Sequence, residues 1–465
     1  MSANAIGAAE RAGVTGRARP WFGRNRPLLV NAGSLFGSTL LTAGLGAIYW
    51  AIAARVFPAA AVGVGAAAIS SMQLLAQLAT FGLGTVLMGE LAEHHRSDLR
   101  LIGSALGLVA AIGAGLAVIF VPISAWLVPA LAGLREPVGV VLFATGVGAT
   151  AAGLVLDQAL LGLLRGGLQL LRNGIASVGK LVALVVVGIV VGVEPNGLAL
   201  LVTWVLGSLA SMVVLLPIRS GATGTRGHSV WRAIDGVAGL ALRHHLLNLA
   251  ILAPGLLLPL VITAVLSPEA NAYFYIAYLI ASFGWAIPAA MGTAVYAAGS
   301  RDLESLPGRV RIAFGLCFAA GLAINVVLFV AAPLVLSIFG PAYAAQATSL
   351  LRLFGLGIFP ITLNSLFVPI ARVERRFLGG ALLMAASMAI EFTFVVLGAR
   401  AGGLNGAGVG WLVGYAASVL PFVPTLVRVA IRRQVRPIDA DLLGPVPVGA
   451  RRGVAAPLPT DEPIR

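Results

Sequence analysis

The sequence predicts an all-α polytopic membrane protein of about twelve transmembrane helices, in two six-helix lobes related by pseudo-two-fold symmetry, with both termini cytoplasmic. Three observations predict it. Of 465 residues, 59% are hydrophobic and only 10% charged, against about 25% charged in an ordinary soluble domain. Crossing a hydrocarbon core of about 30 Å takes about 20 helical residues, and apolar runs of that length recur along nearly the whole chain. The basic residues, finally, are distributed as cytoplasmic loops require. A soluble globular protein is excluded.

Runs almost free of charge place the first six helices at 28–53, 59–88, 101–127, 138–161, 174–193 and 197–218. The second six fall at 246–266, 270–298, 312–338, 344–371, 377–399 and 404–427. With the N-terminus inside, the five inner loops hold fourteen basic residues, from Arg96 to Arg376, and the outer ends hold four, Arg55, Arg135, Arg352 and Arg400. The stretches before residue 28 and after residue 427 add five and seven more on the same inner side. The net charge of +14 therefore reads as topology and not as a nucleic-acid surface.

The chain divides into a basic N-terminal segment (1–27), an N-lobe (28–218), a cytoplasmic inter-lobe loop (219–245), a C-lobe (246–428) and a tail (429–465). Residues 1–27 carry five arginines and no apolar run of signal-peptide length, so the first helix reads as an uncleaved anchor. The tail, rich in Arg and then in Pro and Gly, has nothing to bury and reads as disordered and cytoplasmic. A weak internal repeat supports two halves: LLVN at Leu28 to Asn31 matches HLLN at His245 to Asn248, and a proline turn follows each opening helix, at Pro58 and Pro268. Two halves of equal orientation imply an axis along the membrane normal and a substrate path between them.

Small residues let helices in lipid approach closely, and Gly33 with Gly37, Gly103 with Gly107, and the series Gly406, Gly410, Gly414 have the spacing for it. Prolines concentrate in the helices of the second half, where Pro254 and Pro360 are candidate hinges as well as candidate static kinks. The one cysteine, Cys317, reads as core packing.

Ionisable groups inside a bilayer cost about 2.5–3.5 kcal/mol at a helix centre, so each asks for a reason. The densest set is LVLDQALLGLLRGGLQLLRNGIASVGKL, with Asp157, Gln158, Arg165, Gln169, Arg172, Asn173 and Lys180. Gln158, Arg165 and Arg172 are seven apart and share one stripe if the helix runs on, giving a polar track from mid-membrane to the cytoplasm. Asp157 can serve ion coupling or pair with a neighbouring helix, and the arginines can serve a ligand or anchor the inner face. Glu391 is the most isolated carboxylate, suited to taking up a proton for ion coupling or to a structural hydrogen bond. Arg55 and Arg352, on the outer side against the positive-inside trend, can hold an anion or snorkel toward lipid phosphates. The pairs His94, His95 and His244, His245 have no further ligands at metal spacing, and there is no GxxxxGK[ST] loop. No enzyme signature, metal site or cofactor is expected.

Three stretches resemble the polysaccharide flippases of the multidrug/oligosaccharidyl-lipid/polysaccharide exporter superfamily, in the O-antigen and teichoic-acid export branch: Asn31 to Glu93, Asp157 to Leu181 and Leu350 to Arg376. The resemblance implies a V-shaped pair of lobes around a cavity that opens alternately to each side. It implies a polyprenyl-diphosphate-linked oligosaccharide as substrate, its diphosphate held by cavity cations, for which Arg55, Arg165, Lys180 and Arg352 are the positions indicated. Asp157 and Glu391 are the corresponding positions for ion or proton coupling. Membrane lipids, glycosyltransferases and a polysaccharide polymerase are the expected partners, nucleic acid is not, and the location implied is a bacterial cytoplasmic membrane. The rival of the same superfamily is a multidrug antiporter of organic cations, which calls for a cavity dominated by carboxylates; cationic candidates outnumber acidic ones here. A membrane glycosyltransferase calls for a large outer loop with acidic residues, and the outer loops are short.

Overall fold

Because no water reaches the backbone inside a bilayer, every amide must bond within its own segment, and the apolar runs accordingly fold as helices. The computed structural model describes residues 37–39, 41–94, 99–190, 197–215, 238–300 and 302–431. The segment 1–27, the start of the first span with Gly33, most of the inter-lobe loop and the tail beyond 431 lie outside the described residues.

In chain order the first bundle comprises α1 (Gly37–Val56), α2 (Ala59–Thr80), α3 (Leu83–His94), α4 (Leu99–Leu127), α5 (Pro137–Gly162), α6 (Gly166–Val185) and α7 (Gly197–Ala210). The second comprises α8 (Ala238–Val265), α9 (Pro268–Gly299), α10 (Leu306–Ser337), α11 (Pro341–Leu356), α12 (Ile358–Val373), α13 (Phe377–Ser418) and α14 (Val423–Ala430). Ten of these segments are long and apolar enough to cross a membrane. Helices α11 and α12, bent by 42° about Gly357, make one further crossing. The long α13 turns back at Gly402–Gly403, where the backbone leaves helical geometry, and supplies two crossings instead of one. Twelve passes result.

The fold-back of α13 rests on glycine. A Cβ on Gly398 would sit 2.2 Å from the Gly406 carbonyl oxygen, and one on Gly410 2.2 Å from that of Phe394, while Gly414 faces Glu391. The predicted packing of Gly406, Gly410 and Gly414 is therefore present as an antiparallel arm-to-arm contact. Gly103 and Gly107 correct the same expectation, because among the described residues nothing lies within 4 Å of a Cβ at either. Spacing alone does not say which way a helix face points. Pro254 lies inside the continuous α8, and Pro360 occupies the first turn of α12, where its missing N–H costs no hydrogen bond, directly after the Gly357 bend. Cys317 is buried, as read.

The internal repeat is visible in the backbone. The α5–α6 turn places Leu164 at φ 53° with the Arg165 amide donating to the Leu160 carbonyl, and the α12–α13 turn places Arg375 at φ 55° with the Arg376 amide donating to the Ala371 carbonyl. Leu164 and Arg375 are 211 positions apart, and Pro58 and Pro268, the two proline turns, 210. The same bundle element thus occurs twice.

The bundles meet chiefly through α2 against α8 and α9. At the proline-turn end this contact is tight: a Cβ on Gly63 would overlap the Pro268 carbonyl, and Asn271 Nδ2 donates to the Gly63 carbonyl oxygen at 2.8 Å. Arg55 adds a strut there, donating from Nε to the Ile338 carbonyl at 2.6 Å and from Nη2 to that of Ser337 at 2.9 Å, at the C-terminal end of α10. At the opposite end the α2–α3 turn at Phe81–Gly82 rests on Ala241 and His245 of α8. Gly63→Ala is expected to destabilise the protein by about 1–3 kcal/mol, the cost of overpacking. Thermal unfolding in detergent should show that drop, whereas Gly89→Ala, whose Cβ meets nothing, should unfold within a degree or two of the parent.

Candidate functional site

Between the bundles lies a cavity of about 770 Å³, walled by α1, α2, α5, α6 and α7 and closed across by α8 and α9. Its polar side is made by the α5–α6 hairpin. The helix does not run through Arg165: it ends at Gly162, reverses, and restarts at Gly166. The expected single stripe of Gln158, Arg165 and Arg172 is therefore folded on itself, and the reversal sets Arg172 against Asp157. Arg172 Nε donates to Asp157 Oδ1 at 2.7 Å and Nη2 to Oδ2 at 2.5 Å, the two-pronged geometry that guanidinium and carboxylate favour. Nη2 also donates to Asn173 Oδ1 at 2.7 Å, and Asn173 Nδ2 donates to Ser38 Oγ at 2.8 Å, tying the pair to α1. Arg172 is buried and its charge is met within the protein.

Lys180 is different. The only lysine of the chain, it lines the same cavity with its Nζ 3.7 Å from the centre of the Trp204 ring on α7. Among the described residues no carboxylate pairs with it, and the charge nearest in effect is Arg172, of the same sign. Ammonium on indole is a favourable contact that leaves the charge available to a ligand. Beside it the Tyr49 hydroxyl stands 2.6 Å from Thr203 Oγ1.

A second chamber, of about 510 Å³, lies in the C-terminal bundle and shares Leu252, Gly255, Tyr278 and Ser282 with the first. Glu391 lines it at 3% exposure, its Oε1 without a hydrogen-bond partner among the described residues. Tyr278, Tyr415 and Trp411 surround that carboxyl, and Trp285 stacks on Trp411 with ring centres 5.3 Å apart. A third space, of about 310 Å³, joins both chambers toward the end away from the proline turns, at Gln77, Gln158, His245, Asn248 and Arg372. Arg372 Nη2 donates to Asn248 Oδ1 at 2.6 Å.

Of the four cations indicated from sequence, only Lys180 lines these cavities. Arg165 sits in the α5–α6 turn, the counterpart of Arg376 in the repeat, and Arg55 is the strut described above. Arg352 lies with its guanidinium 4.8 Å from the centre of the Phe329 ring, on the far side of α11 from the chambers. Asp157 and Glu391 both line cavities, in different bundles, and so does Pro254. Arg372 and the aromatic residues of the second chamber carried no signal in the sequence beyond their type: an arginine at an inner helix end is already explained as an anchor, and a tryptophan in a span as packing.

No protein-family model matches the chain, and no curated protein does. Solved structures do. An inward-facing multidrug resistance MATE family transporter of the MOP superfamily is similar at TM-score 0.60 and 19% identity, over 85% of this chain and 96% of that one. The chain has the MATE fold. An outward-facing multidrug resistance MATE transporter matches at TM-score 0.52 and 15% identity, over 85% of this chain and 94% of the other. A MOP superfamily transporter from Pyrococcus furiosus, described as having a binding pocket of reverse polarity, matches at TM-score 0.50 and 13% identity, over 88% and 95%. The MATE fold is thus known in states open to either side.

Removing one member of a buried ion pair strands the other, at about 3–5 kcal/mol, while replacing both with apolar residues is far milder. Asp157→Ala is accordingly expected to lower thermal stability sharply, and Asp157→Leu with Arg172→Met to recover most of it, in a double-mutant comparison of unfolding temperatures.

Proposed function

We propose that this protein moves a polyprenyl-diphosphate-linked oligosaccharide, a cell-surface polysaccharide precursor, across a bacterial cytoplasmic membrane by alternating access between its two bundles. The observation that carries this reading is the sign of the central cavity. Its carboxylate, Asp157, is committed to Arg172, and Lys180 is left facing the space with no acidic partner among the described residues. Arg372 adds a further positive group where the chambers join. A cavity of that sign suits a diphosphate and repels an organic cation.

The physical task fits the architecture. A hydrophilic sugar with a diphosphate cannot cross hydrocarbon, whereas its lipid tail can stay in the bilayer, so a polar cavity between two bundles suffices. In the orientation that the basic residues favour, the sealed proline-turn end is outer and the linked chambers reach toward the cytoplasm. An inside-negative potential then favours outward movement of the anion by about 2.3 kcal/mol per charge per 100 mV. Ion coupling through Asp157 would require its pair with Arg172 to break. Glycosyltransferases that build the lipid-linked sugar and a polymerase that consumes it are the natural partners.

One observation favours the export of organic cations by antiport instead: Glu391, an unpaired carboxylate among aromatic rings, is what a cation would seek. The two readings separate in liposomes holding a fluorescent polyprenyl-diphosphate oligosaccharide, by following head-group access from each side. The flippase reading expects protein-dependent transfer that falls at least about tenfold in Lys180→Ala, the loss of one charge-assisted contact, recovers in Lys180→Arg and persists in Arg165→Ala. A sugar lipid that stays in its leaflet while a cationic dye is exported against a proton gradient contradicts it.

A further inference from the structure

The register that superposes the two halves carries Lys180 onto Glu391, since these residues too are 211 positions apart. Each lies on the same helix of its repeat, after the equivalent positive-φ turn, and each lines the chamber of its own bundle. Each also faces a tryptophan from the following crossing: Lys180 lies over Trp204, and the Glu391 carboxyl stands beside the Trp411 indole. The two bundles therefore present one site twice, with a basic group at this position in the first and an acidic group in the second, where Arg372 lines the same chamber.

A carboxyl at 3% exposure whose Oε1 has, among the described residues, no donor beyond the adjacent Trp411 indole is costly in a membrane protein and marks a place where a ligand can supply donors. The chamber around it carries aromatic faces at Tyr278, Tyr415 and Trp285, the last stacked on the buried Trp411, and polar groups at Asn364, Ser387 and Arg372, with Asn364 Nδ2 donating to the Tyr415 hydroxyl at 2.9 Å. That combination complements a sugar ring, which offers an apolar C–H face to an aromatic plane and a rim of hydroxyl donors to a carboxylate. A lone organic cation would answer Glu391 and leave the Lys180 half empty. One head group bearing both a diphosphate and a saccharide answers both halves, and the shared wall at Gly255 and Tyr278 makes the chambers continuous.

We infer that the chamber around Glu391 is the saccharide subsite for the same head group whose diphosphate Lys180 holds, with Trp285 and Tyr278 as stacking surfaces and Glu391 as hydroxyl acceptor. The inference rests on the flippase reading above.

The test compares two probes in liposomes: polyprenyl diphosphate carrying a disaccharide, and bare polyprenyl diphosphate. The quantity read is the ratio of their transfer efficiencies. The wild type should prefer the sugar-bearing lipid, and Glu391→Leu or Trp285→Ala should each reduce that preference about tenfold, the scale of one buried hydrogen bond or contact surface. Glu391→Gln, which keeps an acceptor without a charge, should retain most of it, while Lys180→Ala slows both probes alike. If Glu391→Leu does not fold, Trp285→Ala and the quenching of tryptophan fluorescence by the sugar-bearing but not the bare lipid decide the same question. Equal slowing of both probes by Glu391→Leu and Glu391→Gln would make Glu391 a coupling residue and overturn the subsite. An unchanged preference in Glu391→Leu and Trp285→Ala would overturn it as well. A wild type that moves neither probe removes the flippase reading itself.

Discussion

The close contact of α2 with α9 at Gly63 governs what the rest of the molecule can do. Glycine permits the Pro268 carbonyl to approach where any side chain would overlap it, and Asn271 then reaches the Gly63 carbonyl to close the contact with a buried hydrogen bond. With the bundles held together at this end, the remaining space between them collects in the middle and toward the other end, where the linked chambers are found. The two elements in contact are the second crossings of their respective halves, so the contact sits where a pseudo-two-fold axis would place it. Any relative movement of the bundles would have to part this seal without dismantling either of them. Hydrogen bonds this few, between preformed helices, are suited to that.

Within the cavity, charge is arranged by pairing before it is arranged by position. The α5–α6 hairpin brings Asp157 and Arg172 together and satisfies both, which removes the acidic group from consideration and leaves Lys180 on its tryptophan as the group with unmet charge. In a low-dielectric setting an unmet charge is worth far more than an exposed one. The C-terminal bundle repeats the arrangement with Glu391 in the place of Lys180.

Much of the fold was legible in the sequence because the bilayer imposes a length on every crossing: twelve apolar runs became twelve passes, and the run at 377–427 was correctly divided although only Gly402–Gly403 separates its two helical arms. The site was legible in part. Asp157, Lys180 and Glu391 stood out because ionisable groups at membrane depth are few, and all three line cavities. Arg165 misled because its seven-residue spacing from Arg172 supposed a helix that ends at Gly162. Arg55 and Arg352 were singled out by side of the membrane, which says nothing about facing: one caps the end of α10 and the other lies on Phe329. Arg372 went unnoticed since the rule that keeps arginines cytoplasmic already accounted for it, and only the folded chain shows its side chain reaching Asn248 of α8. Facing is set by partners distant in sequence, and a single chain read along its length does not display them.

The central claim is that the cavity is an anion site, and binding tests it more directly than transport. Calorimetric titration of the detergent-solubilised protein with a short-chain prenyl diphosphate, and separately with tetraphenylphosphonium, reads the sign of the site without any assumption about driving force. The account predicts saturable binding of the diphosphate, weakened by salt and by Lys180→Ala, and none of the phosphonium. Binding of the phosphonium, abolished by Glu391→Gln, with no heat from the diphosphate, would contradict it.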